Sequence, residues 1–196
     1  MKKQSGFTLI ELMIVLAIMS IILSVGVPGM RTYLSNSAAD SLSNAILIDI
    51  MYARNHAITN ATTVKMIPTG TANSGASTFA PDTEGVNWGQ GWKIFEDSDD
   101  DNNIDNNELV IRTQASFGSD AHISSGPGGH ITSGPAGILD NGRPIGFDND
   151  GTAIRSGVLS IATFGCAGSH GHTIQINQIG QVVARNTDCP IAFTNL

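Results

Sequence analysis

Charge is scarce in this 196-residue chain: only 14% of its residues are Asp, Glu, Lys or Arg. Cations are the scarcer kind, 10 Lys plus Arg against 17 Asp plus Glu, for a formal net charge of −7. An acidic chain is repelled by phosphate backbones unless its few cations cluster, so nucleic-acid binding is not favoured. Aromatic residues make up 6%, and there are only two cysteines, Cys166 and Cys189, which excludes a disulfide-dense scaffold. Also missing are a nucleophile elbow, a glycine-rich phosphate loop and an HExxH zinc motif. Ser and Asp are plentiful, and "GSHGH" at 168–172 offers histidines, but no pattern sets a nucleophile beside a base. An enzyme is not the expectation. No internal repeat is visible.

Glycine, by contrast, is abundant at 22 residues, well above the usual share of roughly 7%. That points to a loop-rich, β-containing body, and 41% apolar residues suffice for a core. The longest apolar stretch lies at the front. Residues 7–27 are 21 residues with a single charge, Glu11, and about 20 such residues cross a bilayer core of roughly 30 Å. Lys2 and Lys3 precede the stretch, so the positive-inside bias leaves them in the cytoplasm with the rest of the chain across the membrane. A secretory signal would place a small-residue cleavage site after the apolar stretch, where Val27-Pro28-Gly29-Met30-Arg31 offers none. The cleavable-looking site, Ser5-Gly6 before Phe7, instead comes first. Cutting there removes the basic leader, takes the net charge to −9 and keeps the helix. A carboxylate within lipid costs about 2.5 kcal/mol or more and calls for a partner. A plain single-pass anchor explains neither Gly6 nor Glu11.

"GFTLIELMIVLAIMSIIL" resembles the class III signal of type IV prepilins and pseudopilins. The resemblance implies cleavage between Gly6 and Phe7 by a prepilin peptidase and N-methylation of Phe7. It also implies that Glu11 pairs with the new α-amino group of a neighbouring subunit's Phe7, each charge making the other tolerable in lipid. Gly26, Pro28 and Gly29 interrupt the helix former. They read as a hinge that stretches when subunits pack into a filament, or as the end of the membrane span.

Beyond them Leu34, Ala38, Leu42, Ala45, Ile46, Ile50, Ala53 and Ala57 recur at three- and four-residue spacing, an amphipathic helix to about Asn60. Asp49 interrupts this stripe and is expected at its edge. Short alternating runs bounded by Gly, Asn, Ser and Pro follow. They predict strands at 63–67, 92–96, 109–113, 122–124, 145–147, 158–163, 173–177 and 181–184, a sheet-on-sheet domain. Residues 73–87 and 124–137, rich in Gly, Ser and Pro, read as surface loops.

Three further segments widen the likeness. "ARNHAITNATTVKM" (53–66), "GWKIFEDSDDDNNIDNNELVIRT" (91–113) and "IGFDNDGTA" with "HTIQINQIGQVVAR" resemble the FimT/GspH group of minor pilins and pseudopilins. Residues 70–88 and 119–141 find no match. The resemblance implies an α+β fold in which a long N-terminal helix, transmembrane then amphipathic, packs on a C-terminal antiparallel β-sandwich-like domain. The division is 1–6 leader, 7–28 transmembrane and assembly helix, 29–60 amphipathic helix, and 61–196 periplasmic domain. The implied role is to initiate or cap a type IV pilus or type II secretion filament. Its partners are other major and minor pilins or pseudopilins, the prepilin peptidase and the inner membrane, with the protein at the pilus tip after assembly. The DNA-uptake branch carries Gly-Arg-x-Arg near its C-terminus. Gly180-Gln181-Val182-Val183 stands there instead, although Arg143, Arg155 and Arg185 remain.

Two clusters could bind metal. In "DSDDDNNIDNNE", Asp97, Asp99, Asp101, Asn103, Asp105 and Glu108 take positions 1, 3, 5, 7, 9 and 12 of a twelve-residue Ca²⁺ loop, and Ile104 takes the apolar position 8. Asn102 stands in place of the usual Gly, and strands rather than helices flank the loop. Weak Ca²⁺ binding and a solvated acidic turn both fit. Cys166 and Cys189 read as a disulfide in an oxidising periplasm, with a zinc site of Cys166, His170, His172 and Cys189 as the rival. His56, His122 and His130 have no evident partner and read as surface residues. No cofactor is required on this reading.

Overall fold

In the computed structural model, residues 7–69, 88, 91–118, 121–125 and 144–189 are described. The leader through Gly6, Arg143, His130, the His122 side chain and most of the two Gly/Ser/Pro-rich stretches lie outside them.

One helix, α1 (Leu9–Asn60), occupies 52 residues. Thr8 caps its start in an extended conformation, and Ala61, left-handed at φ 50°, ends it with its N–H on the Ala57 carbonyl. The helix runs through Gly26, Pro28 and Gly29, where Pro28 supplies no N–H to it.

The body covers only the second half of α1. Its buried face is Ala39, Leu42, Ser43, Ile46, Asp49, Ile50, Ala53 and Ala57, at three- and four-residue steps. Three members of the expected stripe fall outside it: Leu34 is 59% exposed, Ala38 is exposed too, and Ala45 is only half-buried against the core. The body first touches the helix at Ser35 and Asn36 and buries it only from Ala39 onward, so periodicity alone began the stripe too early. Asp49 sits inside the buried face at 1% exposure, not at the edge.

Eight strands follow in two antiparallel sheets. β1 (Val64–Pro68), β2 (Trp92–Glu96), β3 (Val110–Gln114) and β5 (Ile145–Phe147) form one, in the order β3-β2-β1-β5. β4 (Ala121–Ser125), β6 (Gly157–Thr163), β7 (Gly171–Ile176) and β8 (Val182–Thr187) form the other, in the order β4-β6-β7-β8. All eight lie where the alternating runs placed them, with ends shifted by at most three residues. β1 is central and buried along its whole length, with Val64 opposite both Glu96 and Phe147. α1 touches strands of both sheets. A single core draws Leu42, Ile46 and Ile50 from the helix, Met66, Trp92 and Phe147 from one sheet, and Leu159, Ile161 and Ile174 from the other.

The turn joining β7 to β8 needs Gly180. Its φ is +74°, and a Cβ there would lie 1.9 Å from the Gly151 carbonyl oxygen, so two loops touch backbone to backbone. Arg54 of α1 clamps them, its Nε donating to Gly151 O at 3.0 Å and its Nη2 to Ile179 O at 3.5 Å.

Candidate functional site

The N-terminal third presents apolar surface to its surroundings. Phe7 is 87% exposed, and Leu9, Ile10, Leu12, Met13 and the apolar residues on to Leu34 follow suit, with no part of the body over them. Such a face is costly in water, about 25 cal/mol per Å² of apolar area, and suits lipid or neighbouring helices. Glu11 is the one acidic residue of the run. Its backbone N–H donates to Thr8 Oγ1 at 3.3 Å, and its Oε2 accepts from the Thr8 N–H at 3.5 Å. This is a capping box, which satisfies two otherwise orphaned donors of the first turn. The Thr-x-x-Glu signal announces it, and reading Glu11 only as an intersubunit charge overlooks it.

The second site is the loop between β2 and β3. Of its carboxylates only Asp97 is buried, at 2% exposure. Asp97 Oδ2 takes the Lys65 ammonium at 2.7 Å and the Asn102 N–H at 3.0 Å, while Oδ1 has no hydrogen-bond partner. Lys65, itself 1% exposed, also reaches Asp100 Oδ1 at 2.5 Å. Asn102 adopts φ +67°, the left-handed conformation that a Gly at position 6 normally supplies. Glu108 folds back across the loop, Oε1 accepting from Ser98 N–H at 3.0 Å and Oε2 from Asp105 N–H at 3.1 Å. Hydrogen bonds from the side chain and then the backbone of Asn103 hold the Asp101 carboxyl below the ordinary aspartate range. The acidic run is thus less repulsive than its composition suggests, because Lys65 enters from β1 and His56 from α1. His56 is no bare surface residue: its Nε2 lies 2.7 Å from Glu96 Oε1 and 2.8 Å from Asn60 Nδ2.

Buried Asp49 ties α1 to the same hairpin. Its Oδ2 accepts from Trp92 Nε1 at 2.7 Å. Its Oδ1 stands 3.1 Å from Arg112 Nη1, an ion-pair approach without the alignment of a hydrogen bond. A carboxylate interrupting an apolar stripe is the sequence signal for such a contact, although its partners lie more than forty residues away.

Cys166 and Cys189 form a disulfide closing a separation of 23 residues, Cα to Cα 6.0 Å. The zinc alternative falls with it, since both thiols are consumed. The two histidines of that set turn to α1 instead. His172 Nε2 lies 2.7 Å and His170 Nδ1 3.4 Å from Asp40 Oδ1. Burial alone would raise the Asp40 carboxyl, but the hydrogen bonds and charge of His172 and His170 outweigh it and hold it below the ordinary range. Nearby, Thr163 Oγ1 donates to Ser35 O at 2.7 Å and Ala167 N–H to Asn36 Oδ1 at 3.0 Å, so the disulfide-bearing loop grips the helix. Replacing both cysteines by serine is expected to cost about 3 kcal/mol through loop entropy, lowering Tm by roughly 9 °C. Thermal melting checks this, and a drop under 3 °C would mean that the helix contacts alone hold the loop.

The positions of the DNA-uptake arginines belong to the tight turn and the start of β8, where Gln181 N–H donates to Asn177 Oδ1 at 2.7 Å. Neither position is basic, and that alternative is not favoured.

A membrane-length helix with an acidic fifth residue after Gly6, continuing into a two-sheet body, defines the class of pilin-like subunits. Residues 1–27 match the prokaryotic N-terminal methylation motif, and residues 42–180 match the type II transport protein GspH. The chain belongs to the GspH family of pilins and pseudopilins. Such subunits are structural, held in the membrane by the N-terminal helix, and assemble with other pilins into filaments. Among solved structures the chain is similar to the type IV minor pilin FimU of Pseudomonas aeruginosa, with 14% identity and a TM-score of 0.46 over 79% of this chain and 90% of that one. It is also similar to the minor pseudopilin EpsH of the Vibrio cholerae type 2 secretion system, at 13% and 0.46 over 79% and 97%. No curated protein sequence matches it.

Proposed function

We propose that this chain is a minor pilin or pseudopilin that starts or caps a type IV pilus or type II secretion filament. A prepilin peptidase cuts between Gly6 and Phe7, Phe7 is N-methylated, and Glu11 neutralises the amino terminus of an adjoining subunit. The body then faces the periplasm from the inner membrane. The observation that carries this reading is the uncovered apolar face running from Phe7 to Leu34 with Glu11 as its single acidic group. A helix cap needs only a hydrogen-bond acceptor, which a neutral Gln would supply, whereas a bundle of like helices with free amino termini calls for the negative charge itself. The irregular loops of the body favour a subunit present in few copies over one that stacks repeatedly. Gold labelling of an epitope-tagged chain on sheared filaments tests the role. Label confined to one end of each filament is the expected result, and label along the whole shaft would make the chain a major subunit.

A further inference from the structure

We propose that the loop joining β2 to β3 is a Ca²⁺ site, with Asp97, Asp99, Asp101, Asn103, Asp105 and Glu108 as its ligands. The site belongs to the body of the protein and stands independently of the filament role. Its oxygen donors fall at positions 1, 3, 5, 7, 9 and 12 of a twelve-residue loop, the spacing that wraps a chain once around a hard cation.

The folded loop agrees with the spacing. Carboxylate oxygens of Asp97, Asp99 and Glu108 lie within 4.8 Å of one another, and those of Asp99, Asp101 and Asp105 form a second such group. Two oxygens across a Ca²⁺ ion with bonds of about 2.3–2.6 Å stand roughly 5 Å apart, so each group is compact enough to hold one ion. Asp99 belongs to both.

Proximity of acids alone would describe any wet turn. The distinguishing observation is Asp97. Its side chain is fully buried, and the Lys65 ammonium and the Asn102 N–H both occupy Oδ2, leaving Oδ1 without a hydrogen-bond partner on a carboxyl group that clusters with those of Asp99 and Glu108. A buried carboxylate oxygen without a partner is costly, and a solvated turn would direct it to water. A cation seated among Asp97, Asp99 and Glu108 gives that oxygen its partner. Lys65 stays where it is, since position 1 needs to contribute only one oxygen. The ammonium does not replace the ion either: it contacts Asp97 and Asp100, leaving Asp99, Asp101, Asp105 and Glu108 with no lysine or arginine partner in the ion pairs described.

Binding would act on the fold. Asp97 N–H donates to the Thr63 carbonyl at 3.0 Å, just where α1 hands over to β1. An ion holding Asp97 therefore braces the exit of the helix as well as the hairpin. The weak extracellular class of site, with Kd of about 1 mM, matches an exposed loop with Asn rather than Gly at position 6.

The test uses the full chain in detergent micelles, first chelated and then titrated with CaCl2 at constant ionic strength. With a Kd of about 1 mM, 10 mM Ca²⁺ is expected to raise Tm by roughly 4 °C, with isothermal titration giving near one ion per chain. MgCl2, which keeps its waters and demands octahedral geometry, is expected to give less than half that shift. Asp105→Asn removes an exposed ligand, so it should keep its calcium-free Tm within about 1 °C while losing the response, and Glu108→Gln, which also gives up one backbone hydrogen bond, should lose the response too. A flat titration of the parent protein overturns the site. So does an equal shift in Glu108→Gln, or equal shifts with Mg²⁺ and Ca²⁺, either of which would indicate charge screening only.

Discussion

Glu11→Gln is expected to keep this chain out of filaments while leaving it in the membrane with its first helical turn intact. Glu11 caps the helix and, in the proposed role, neutralises a neighbour's amino terminus, and this substitution separates the two. The capping box works with Gln as with Glu, so the hydrogen bonds between Thr8 and residue 11 survive. Insertion becomes easier, because a carboxylate costing about 2.5 kcal/mol in lipid is gone. What is lost is the negative charge opposite a neighbour's amino terminus. Leaving one partner of a buried ion pair alone costs about 3–5 kcal/mol, a fall of roughly 10²- to 10³-fold in incorporation at 1.4 kcal/mol per decade. Immunoblots of sheared filaments against the membrane fraction would measure it. Normal amounts of the Gln variant in filaments would reduce Glu11 to a helix cap.

Lys65→Met is expected to be the most damaging single change in the body. Lys65 lies on the fully buried central strand with its ammonium on Asp97 and Asp100. Methionine fills similar space but strands the Asp97 carboxylate, which has no other cation within ion-pair distance among the described residues. Breaking a buried pair from one side costs about 3–5 kcal/mol, or a fall in Tm of roughly 12 °C for a chain of this size. Melting should be measured in chelator, so that added cations cannot substitute for the lysine. Removing the second charge too, in Lys65→Met with Asp97→Asn, is expected to recover about half of the loss. A single-variant drop under 3 °C would mean that Asp97 gains water or a proton when Lys65 leaves.

What could be read from residues alone divides along range of interaction. β2 and β5 lie at 92–96 and 145–147 as expected, because glycine and polar turn residues bound short apolar runs. α1 ends at Asn60 for an equally local reason, the change in period that follows it. The disulfide needed only compartment and count. Readings failed where the deciding partner is distant. Asp49 looked like an edge residue, since nothing near it announces Trp92 or Arg112. His56 seemed unpartnered because Glu96 is forty residues on. The zinc set grouped His170 and His172 with the cysteines, whereas Asp40, some 130 residues earlier, takes both. In the acidic loop the ligand spacing was fully legible, but the lysine that neutralises part of it, on a neighbouring strand, was not.

The unbroken helix also sets a distance. Its 52 residues, at 1.5 Å each, make a rod of about 78 Å, and the body first touches it at Ser35. The bare portion ahead of that residue measures about 39 Å, against a hydrocarbon thickness of roughly 30 Å. The difference, about 9 Å, is a stand-off that holds the folded head clear of the lipid surface.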